Sequence, residues 1–64
     1  MTPQEFKRIR IQMKLTQSEM AEWLHVSGWK IISSWESGRY KIPGSVQKCF
    51  ELAGYLEAPY GKEE

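Results

Sequence analysis

Residues 15–43, LTQSEMAEWLHVSGWKIISSWESGRYKIP, place two short helical patterns on either side of a break that contains a glycine. Thr16 opens the first pattern as a helix cap, because Glu19 stands three residues later and completes a capping box. The second pattern runs from about Trp29 to Ser37 and ends at Gly38, a residue typical of the position after a helix C-terminus. Two short helices with a brief turn between them and a basic loop after the second form the outline of a helix-turn-helix unit.

Apolar side chains at helical spacing indicate which face of each helix is buried. In the break, residues 25–28, Gly28 is free to adopt a positive φ, which glycine does at little cost. The predicted inward residues of the two helices are Met20, Ala21, Leu24, Ile32 and Trp35, with Ile31 at the margin.

One further helix precedes this unit and another follows it. Thr2 caps the first helix, with Pro3 at its first position and Glu5 completing a second capping box, and the helix ends at residues 14–15. The predicted inward residues are Phe6, Ile9 and Met13 in this helix, and Val46, Cys49, Phe50 and Ala53 in the last one, with Leu52 and Leu56 extending its apolar side. We therefore expect an all-α domain of four helices, or five, over residues 1–56, and a frayed polar tail over residues 57–64.

The composition argues against an enzyme and against a metal site. The 64 residues include one histidine, His25, and one cysteine, Cys49, but neither Asp nor Asn. Catalytic constellations and structural zinc sites draw on these residue types, so we expect no catalysis, no cofactor and no metal. The net charge is only +1, yet residues 1–56 carry eight basic residues against five acidic ones.

Hydropathy patterning predicts a protein of the cytoplasm. No apolar run approaches the roughly 18 residues of a membrane span. The start of the sequence has no basic segment followed by an apolar stretch, so it does not have the pattern of a signal peptide. We expect neither a membrane nor a small molecule among the partners.

Two motifs carry a resemblance to a known family. Residues 15–21 read LTQSEMA, and residues 32–43 read ISSWESGRYKIP. They resemble the pattern R-x-x-x-G-L-T-Q-x-x-L-A followed by I-S-x-W-E-x-G-x-x-x-P of the lambda-repressor-like, Cro/cI-type (XRE) DNA-binding domains, over about residues 6–53. The resemblance implies an all-α fold that reads the DNA major groove, usually as a dimer on a palindromic operator. The short length, the long turn and the TPQEFK start are also similar to those of small phage regulators encoded beside anti-CRISPR genes.

The resemblance also implies an ion pair, and the sequence departs from the family in two places. Arg10 and Glu36 stand where the family has a buried pair that links helix 1 to the end of helix 3, although taken alone they are also consistent with two surface charges. Lys14 stands where the family often has a glycine. The segment between the motifs is one residue longer than the common spacing, and we place the extra residue in the turn, at residues 27–28.

The side of the third helix that does not pack is expected to contact DNA bases. The predicted base-contacting residues are Trp29, Lys30, Ser33 and Ser34. A lysine donates to guanine O6 and N7, and a serine hydroxyl serves several bases. Trp29 has three interpretations, namely a contact with a thymine methyl group or a sugar, a staple between helices 2 and 3, or half-buried core.

Phosphate contacts are expected from the start of helix 2 and from the end of helix 3 with its loop. The predicted phosphate-contacting residues are Gln17, Ser37, Arg39, Tyr40 and Lys41. Helix N-termini and flexible basic side chains both bind phosphates. The alternatives are that Gln17 is an exposed polar residue in its capping box and that the loop is simply a solvated basic segment.

The sequence as a whole favours a transcriptional regulator, and more specifically a repressor or autorepressor. We expect a bacterial or phage-encoded homodimer that occupies an inverted-repeat operator in double-stranded DNA, with Leu52, Tyr55 and Leu56 at the dimer interface. One alternative is a protein-interaction module, such as an antitoxin or adaptor, that uses exposed aromatic residues such as Trp23 and Tyr55. The same two residues are equally consistent with covering the edge of a small core. Another is a nucleic-acid binder that is indifferent to sequence.

Overall fold

The structure, a computed structural model, describes residues 1–56, and in them the chain forms four α-helices and no strand. The helices are α1 (Pro3–Gln12), α2 (Gln17–Leu24), α3 (Trp29–Ser37) and α4 (Gly44–Ala53). The predicted all-α architecture with four helices is therefore confirmed for this part of the chain, whereas the predicted tail, residues 57–64, lies outside the described residues. Among the described helices, none combines the length and the apolar character needed to cross a membrane.

Both predicted capping boxes are present, and they set where α1 and α2 begin. The Thr2 hydroxyl accepts a hydrogen bond of 3.1 Å from the Glu5 N–H, and the Glu5 carboxylate accepts one of 3.0 Å from the Thr2 N–H. Thr16 and Glu19 repeat this exchange at 3.1 and 2.8 Å. Each box satisfies N–H groups that the start of a helix leaves without an intrahelical partner. The starts of α1 and α2 are therefore determined by local sequence.

The turn between α1 and α2 places a lysine in the left-handed region of the backbone. Lys14 has a φ of 63°, a conformation that costs an L-residue with a side chain about 1–2 kcal/mol. The next N–H, that of Leu15, donates to the Arg10 carbonyl at 3.2 Å and closes the end of α1. The turn between α1 and α2 therefore requires a positive φ at residue 14.

The turn between α2 and α3 has its left-handed residue at its start. Gly28 does not use its freedom to adopt a positive φ, because it has a φ of 170° and is extended, as any residue can be. The left-handed residue is His25, with a φ of 60°, which ends α2 by donating its N–H to the Ala21 and Glu22 carbonyls. The chain thus reverses at the end of α2 and then runs extended into α3.

Four aromatic rings, one from each helix, form a continuous chain through the core. Phe6 of α1 meets Trp35 of α3 edge-to-face at 5.6 Å between ring centroids, and it meets Phe50 of α4 at 5.7 Å. Trp23 of α2 stacks on Phe50 at 5.8 Å. The stacking supports the interpretation of Trp23 as an edge of the core. The buried apolar residues are Phe6, Ile9, Met20, Ala21, Ile32, Trp35, Val46 and Phe50.

Helix α4 packs through a different stripe from the one predicted. Val46 and Phe50 are buried as expected, but Cys49, Ala53 and Leu52 are exposed, so their placement on the apolar side is wrong. The half-buried positions of α4 are instead Gln47 and Glu51, whose side chains join in a hydrogen bond of 3.3 Å. Because these two polar side chains satisfy each other, α4 can turn them toward the core edge and leave Cys49 and Ala53 in solvent.

Candidate nucleic-acid interface

The outer face of α3 and the loop after it form an open depression of about 430 Å³. This surface, the α3 trough, is lined by seven residues that the sequence singled out for DNA contacts. They are Trp29, Lys30, Ser33, Ser34, Ser37, Arg39 and Tyr40. The structure thus brings all four predicted base-contacting residues and three of the predicted phosphate-contacting residues onto one surface.

Helix α3 presents the trough because its other side is anchored in the core. Ile32 and Trp35 are buried, and Ile31 is half-buried against the same cluster, as predicted. Successive residues of a helix are rotated by about 100°, so this apolar side leaves the trough residues pointing away from the core. Gly38 ends the helix with a φ of 82° and directs the chain into the basic loop.

The trough is positively charged. Lys30 and Arg39 both line it, and no acidic residue does. Within residues 1–56, neither of these cations nor the neighbouring Lys41 makes an ion pair. Cations that have no partner in the protein keep their attraction for a polyanion, so the trough is able to attract phosphate groups.

Two serines of the trough direct their hydroxyl hydrogens back into the helix. The Ser34 hydroxyl donates to the Lys30 carbonyl at 2.9 Å, and the Ser37 hydroxyl donates to the Ser34 carbonyl at 3.1 Å. The Ser37 oxygen also accepts the Arg39 N–H at 3.4 Å. A hydroxyl that has used its hydrogen in this way offers acceptor lone pairs to a ligand. Ser34 therefore complements a donor such as an amino group.

Two predicted phosphate-contacting residues lie outside the trough. Lys41 lines an adjoining depression of about 340 Å³, which shares Arg39 and Tyr40 with the trough and also includes Met1 and Pro3. Sequence reasoning missed Met1 and Pro3 because they come next to the loop only when α1 packs against α3. The shared residues make the two depressions one continuous surface around the loop.

Arg10 and Glu36 form an ion pair that joins α1 to the end of α3. Arg10 Nε lies 2.6 Å from Glu36 Oε2, and Arg10 Nη2 lies 3.3 Å from Oε1. The third nitrogen, Nη1, donates to the Leu15 carbonyl at 2.8 Å in the turn before α2. The two side chains are only 13% and 8% exposed. The pair therefore holds three segments, α1, the following turn and α3, in one arrangement.

Gln17, the other predicted phosphate-contacting residue outside the trough, contacts this ion pair. Arg10, Glu36 and Gln17 together form the ion-pair cluster. Gln17 Nε2 donates to Glu36 Oε1 at 3.2 Å, and the side chain is half-buried. This contact, which the sequence interpretation missed, ties the first turn of α2 to α3. A glutamine directly after a helix cap gives no local signal of a partner nineteen residues away. Its second amide hydrogen remains for other acceptors.

The three residues predicted at a dimer interface do not share one exposed face. Leu52 is 79% exposed. Tyr55 and Leu56 are half-buried and pack against the chain's own core. Leu52 is therefore the member of this set with most of its surface available to a second copy.

The comparisons with known proteins give no indication of function. No family model, no curated protein and no solved structure matches the chain. In residues 1–56, no group of three or more His, Cys, Asp or Glu side chains is placed to hold a metal ion. Cys49 is free and exposed on α4, away from the trough.

Proposed function

We propose that this chain is a sequence-specific DNA-binding transcriptional regulator with a lambda-repressor-like helix-turn-helix fold, in which α3 enters the major groove. The observation that carries the proposal is the α3 trough, which combines hydrogen-bonding side chains and an exposed indole with cations that lack a partner among the described residues. The exposure of the N-terminal end of α3, directly after the turn of residues 25–28, supports it, because that end meets base edges in such motifs.

The residues on the outer face of α3 contact the bases. Lys30 donates to O6 and N7 of a guanine, and Ser34, with its hydrogen directed to the Lys30 carbonyl, accepts from the amino group of a cytosine or an adenine. Ser33 is small and lets the helix approach the base pairs closely. The four positions together supply both donors and acceptors, which sequence discrimination requires.

Phosphate contacts set the position of α3 on the duplex. Arg39, Tyr40 and Lys41 on the loop, with Ser37 and the first turn of α2 at Gln17, flank α3 and bind the backbone. The ion-pair cluster keeps α2 and α3 in a fixed relative position. When α2 binds a phosphate, α3 is therefore aligned with the bases that it contacts.

Dimerisation increases the number of contacts that so small a domain can make. Two copies on an inverted repeat, with half-sites about 34 Å apart, double both the base and the phosphate contacts. Leu52 supplies exposed apolar surface for the pairing. Such a dimer represses by occupying a promoter that overlaps its operator, including its own promoter. Sedimentation that shows a monomer on saturated operator DNA would exclude the dimer.

Site selection from a pool of random duplexes tests the proposal. The selected duplex and a scrambled duplex of the same composition are then titrated with the chain at several salt concentrations. We expect the selected duplex to bind more tightly at every salt concentration, with a log–log slope of about −0.9 per phosphate contact. Equal affinities would identify a binder that is indifferent to sequence, and no binding to either duplex would exclude a nucleic-acid function.

A protein-interaction module is a second candidate, favoured by apolar surface outside the trough. Ile11 on α1 is exposed in an open depression that it shares with Gln4, Lys7 and Arg8. In that case replacing Lys30 and Ser34 with alanine leaves the biological function intact. In a DNA-binding regulator the same double variant loses promoter control.

A further inference from the structure

Trp29 is the most exposed of the three tryptophans, and it differs from the other two in its ring contacts. Trp35 is 6% exposed and contacts Phe6, and Trp23 is 38% exposed but stacks on Phe50. Trp29 is 49% exposed and makes no ring–ring contact within residues 1–56. Its large apolar surface therefore remains open in the free chain, although it lies at the first position of α3 and lines the trough.

The surroundings of Trp29 restrict what can cover it. Lys30, Ser33 and Arg39 line the same trough, and they make it cationic and polar. An apolar protein segment placed on Trp29 would have to desolvate these groups, and desolvating an unpaired cation is costly. A duplex neutralises the cations with its phosphates and can still offer an apolar contact to the indole.

We propose that the exposed part of the Trp29 indole packs against the 5-methyl group of a thymine in the major groove, so that Trp29 determines part of the sequence specificity. Among the base edges in that groove, the methyl group of thymine is the largest apolar feature of unmodified DNA, since cytosine has only a hydrogen at the same position. This inference rests on the proposed function, because it requires α3 to lie in the major groove.

Uracil substitution tests this contact directly. Each thymine of the duplex selected by the wild-type chain is replaced in turn by uracil, which removes the methyl group and keeps the base pairing. At one position in each half-site, we expect the affinity of the wild-type chain to fall about fourfold, the change expected for one methyl-sized apolar group. At that position the same substitution leaves the affinity of Trp29→Ala unchanged within experimental error.

The control variant is Ile11→Ala, which removes an exposed apolar side chain outside the trough and keeps the wild-type response to uracil. A measurement that needs no variant is the nuclear Overhauser effect between the Trp29 indole protons and the thymine methyl protons in the complex, which we expect to observe. A selected site without thymine, or affinities that fall equally for wild type and Trp29→Ala at every position, overturns this inference alone. A chain that selects no sequence overturns the proposed function as well.

Discussion

Glu36 and Lys30 lie six residues apart on α3, yet their charges have opposite surroundings. The Glu36 carboxylate accepts hydrogen bonds from Arg10 and Gln17 and is largely buried. Lys30 is exposed in the trough and makes no ion pair within the described residues. One helix therefore carries a charge neutralised inside the protein and another that remains available to a partner.

The difference separates the contacts that hold α3 in the fold from the side chains of α3 that are available to a partner. A charge that is satisfied internally gives little net stability, because desolvation offsets much of the Coulomb attraction, but it disfavours arrangements in which it is unpaired. A charge left in solvent adds little to folding and keeps its full attraction for a polyanion. Substitutions on the two sides should therefore separate stability from DNA binding.

Glu36→Ala should give the largest effect, and the effect should be on stability. It leaves the Arg10 guanidinium with only the Leu15 carbonyl as a partner, at a site that is 13% exposed. We expect the free energy of unfolding to fall by about 3 kcal/mol, the lower end of the cost of an unpaired buried charge. In a domain whose total stability is on the order of 5 kcal/mol, urea denaturation will show this clearly.

Glu22→Ala is the matched control for Glu36→Ala, because Glu22 is exposed on α2. Its loss should change the free energy of unfolding by no more than about 0.5 kcal/mol. If the two variants unfold at the same urea concentration, the ion-pair cluster does not hold the helices together, and the contrast between the two charges disappears.

Lys30→Ala should have the second-largest effect, and the effect should be on binding. We expect a loss of about 1–3 kcal/mol in affinity for the selected duplex, the range for a side chain that reads a guanine. Urea denaturation should remain unchanged within about 0.5 kcal/mol. Lys7→Ala removes the same charge from α1, outside the trough, and should weaken binding far less. Equal losses for the two lysine variants would mean that only net charge matters.

The parts of this molecule that local chemistry controls could be predicted from the sequence. Thr2 and Thr16 indicated their capping boxes, and apolar spacing placed Ile32 and Trp35 in the core and Lys30 outside it, whereas it left the position of Trp29 open. The convergence of the five trough residues on α3 follows from that register, because the side of a helix opposite its apolar stripe has to face outward. Arg39 and Tyr40 join them because Gly38 ends α3 and directs the chain into the loop.

The parts that depend on contacts between distant segments could not be predicted. The glycine of the second turn allowed a positive φ at Gly28, but His25 takes that conformation because the C-terminus of α2 needs it there. Which face of α4 is buried depends on how Phe50 meets Phe6 and Trp23, and these contacts leave Cys49 exposed. Gln17 likewise finds Glu36 only in the folded chain.

Lys14→Gly should give the smallest effect, and it should stabilise the protein. Lys14 has a φ of 63° in the turn whose Leu15 carbonyl accepts from Arg10. Glycine removes about 1–2 kcal/mol of backbone strain, and the greater entropy of its unfolded chain offsets part of that gain. We expect a net gain of about 0.5–1 kcal/mol in urea denaturation.

Lys14→Gly should leave the affinity for DNA unchanged. Lys14 does not line the trough, so the affinity for the selected duplex should remain within about twofold of wild type, because a charge away from the contact surface is screened by salt. Lys14→Ala removes the same charge without relieving the strain and separates the two causes. It should be no more stable than wild type. If the alanine and glycine variants are equally stable, the positive φ of Lys14 is not strained, and the turn beside the ion-pair cluster tolerates a side chain without cost.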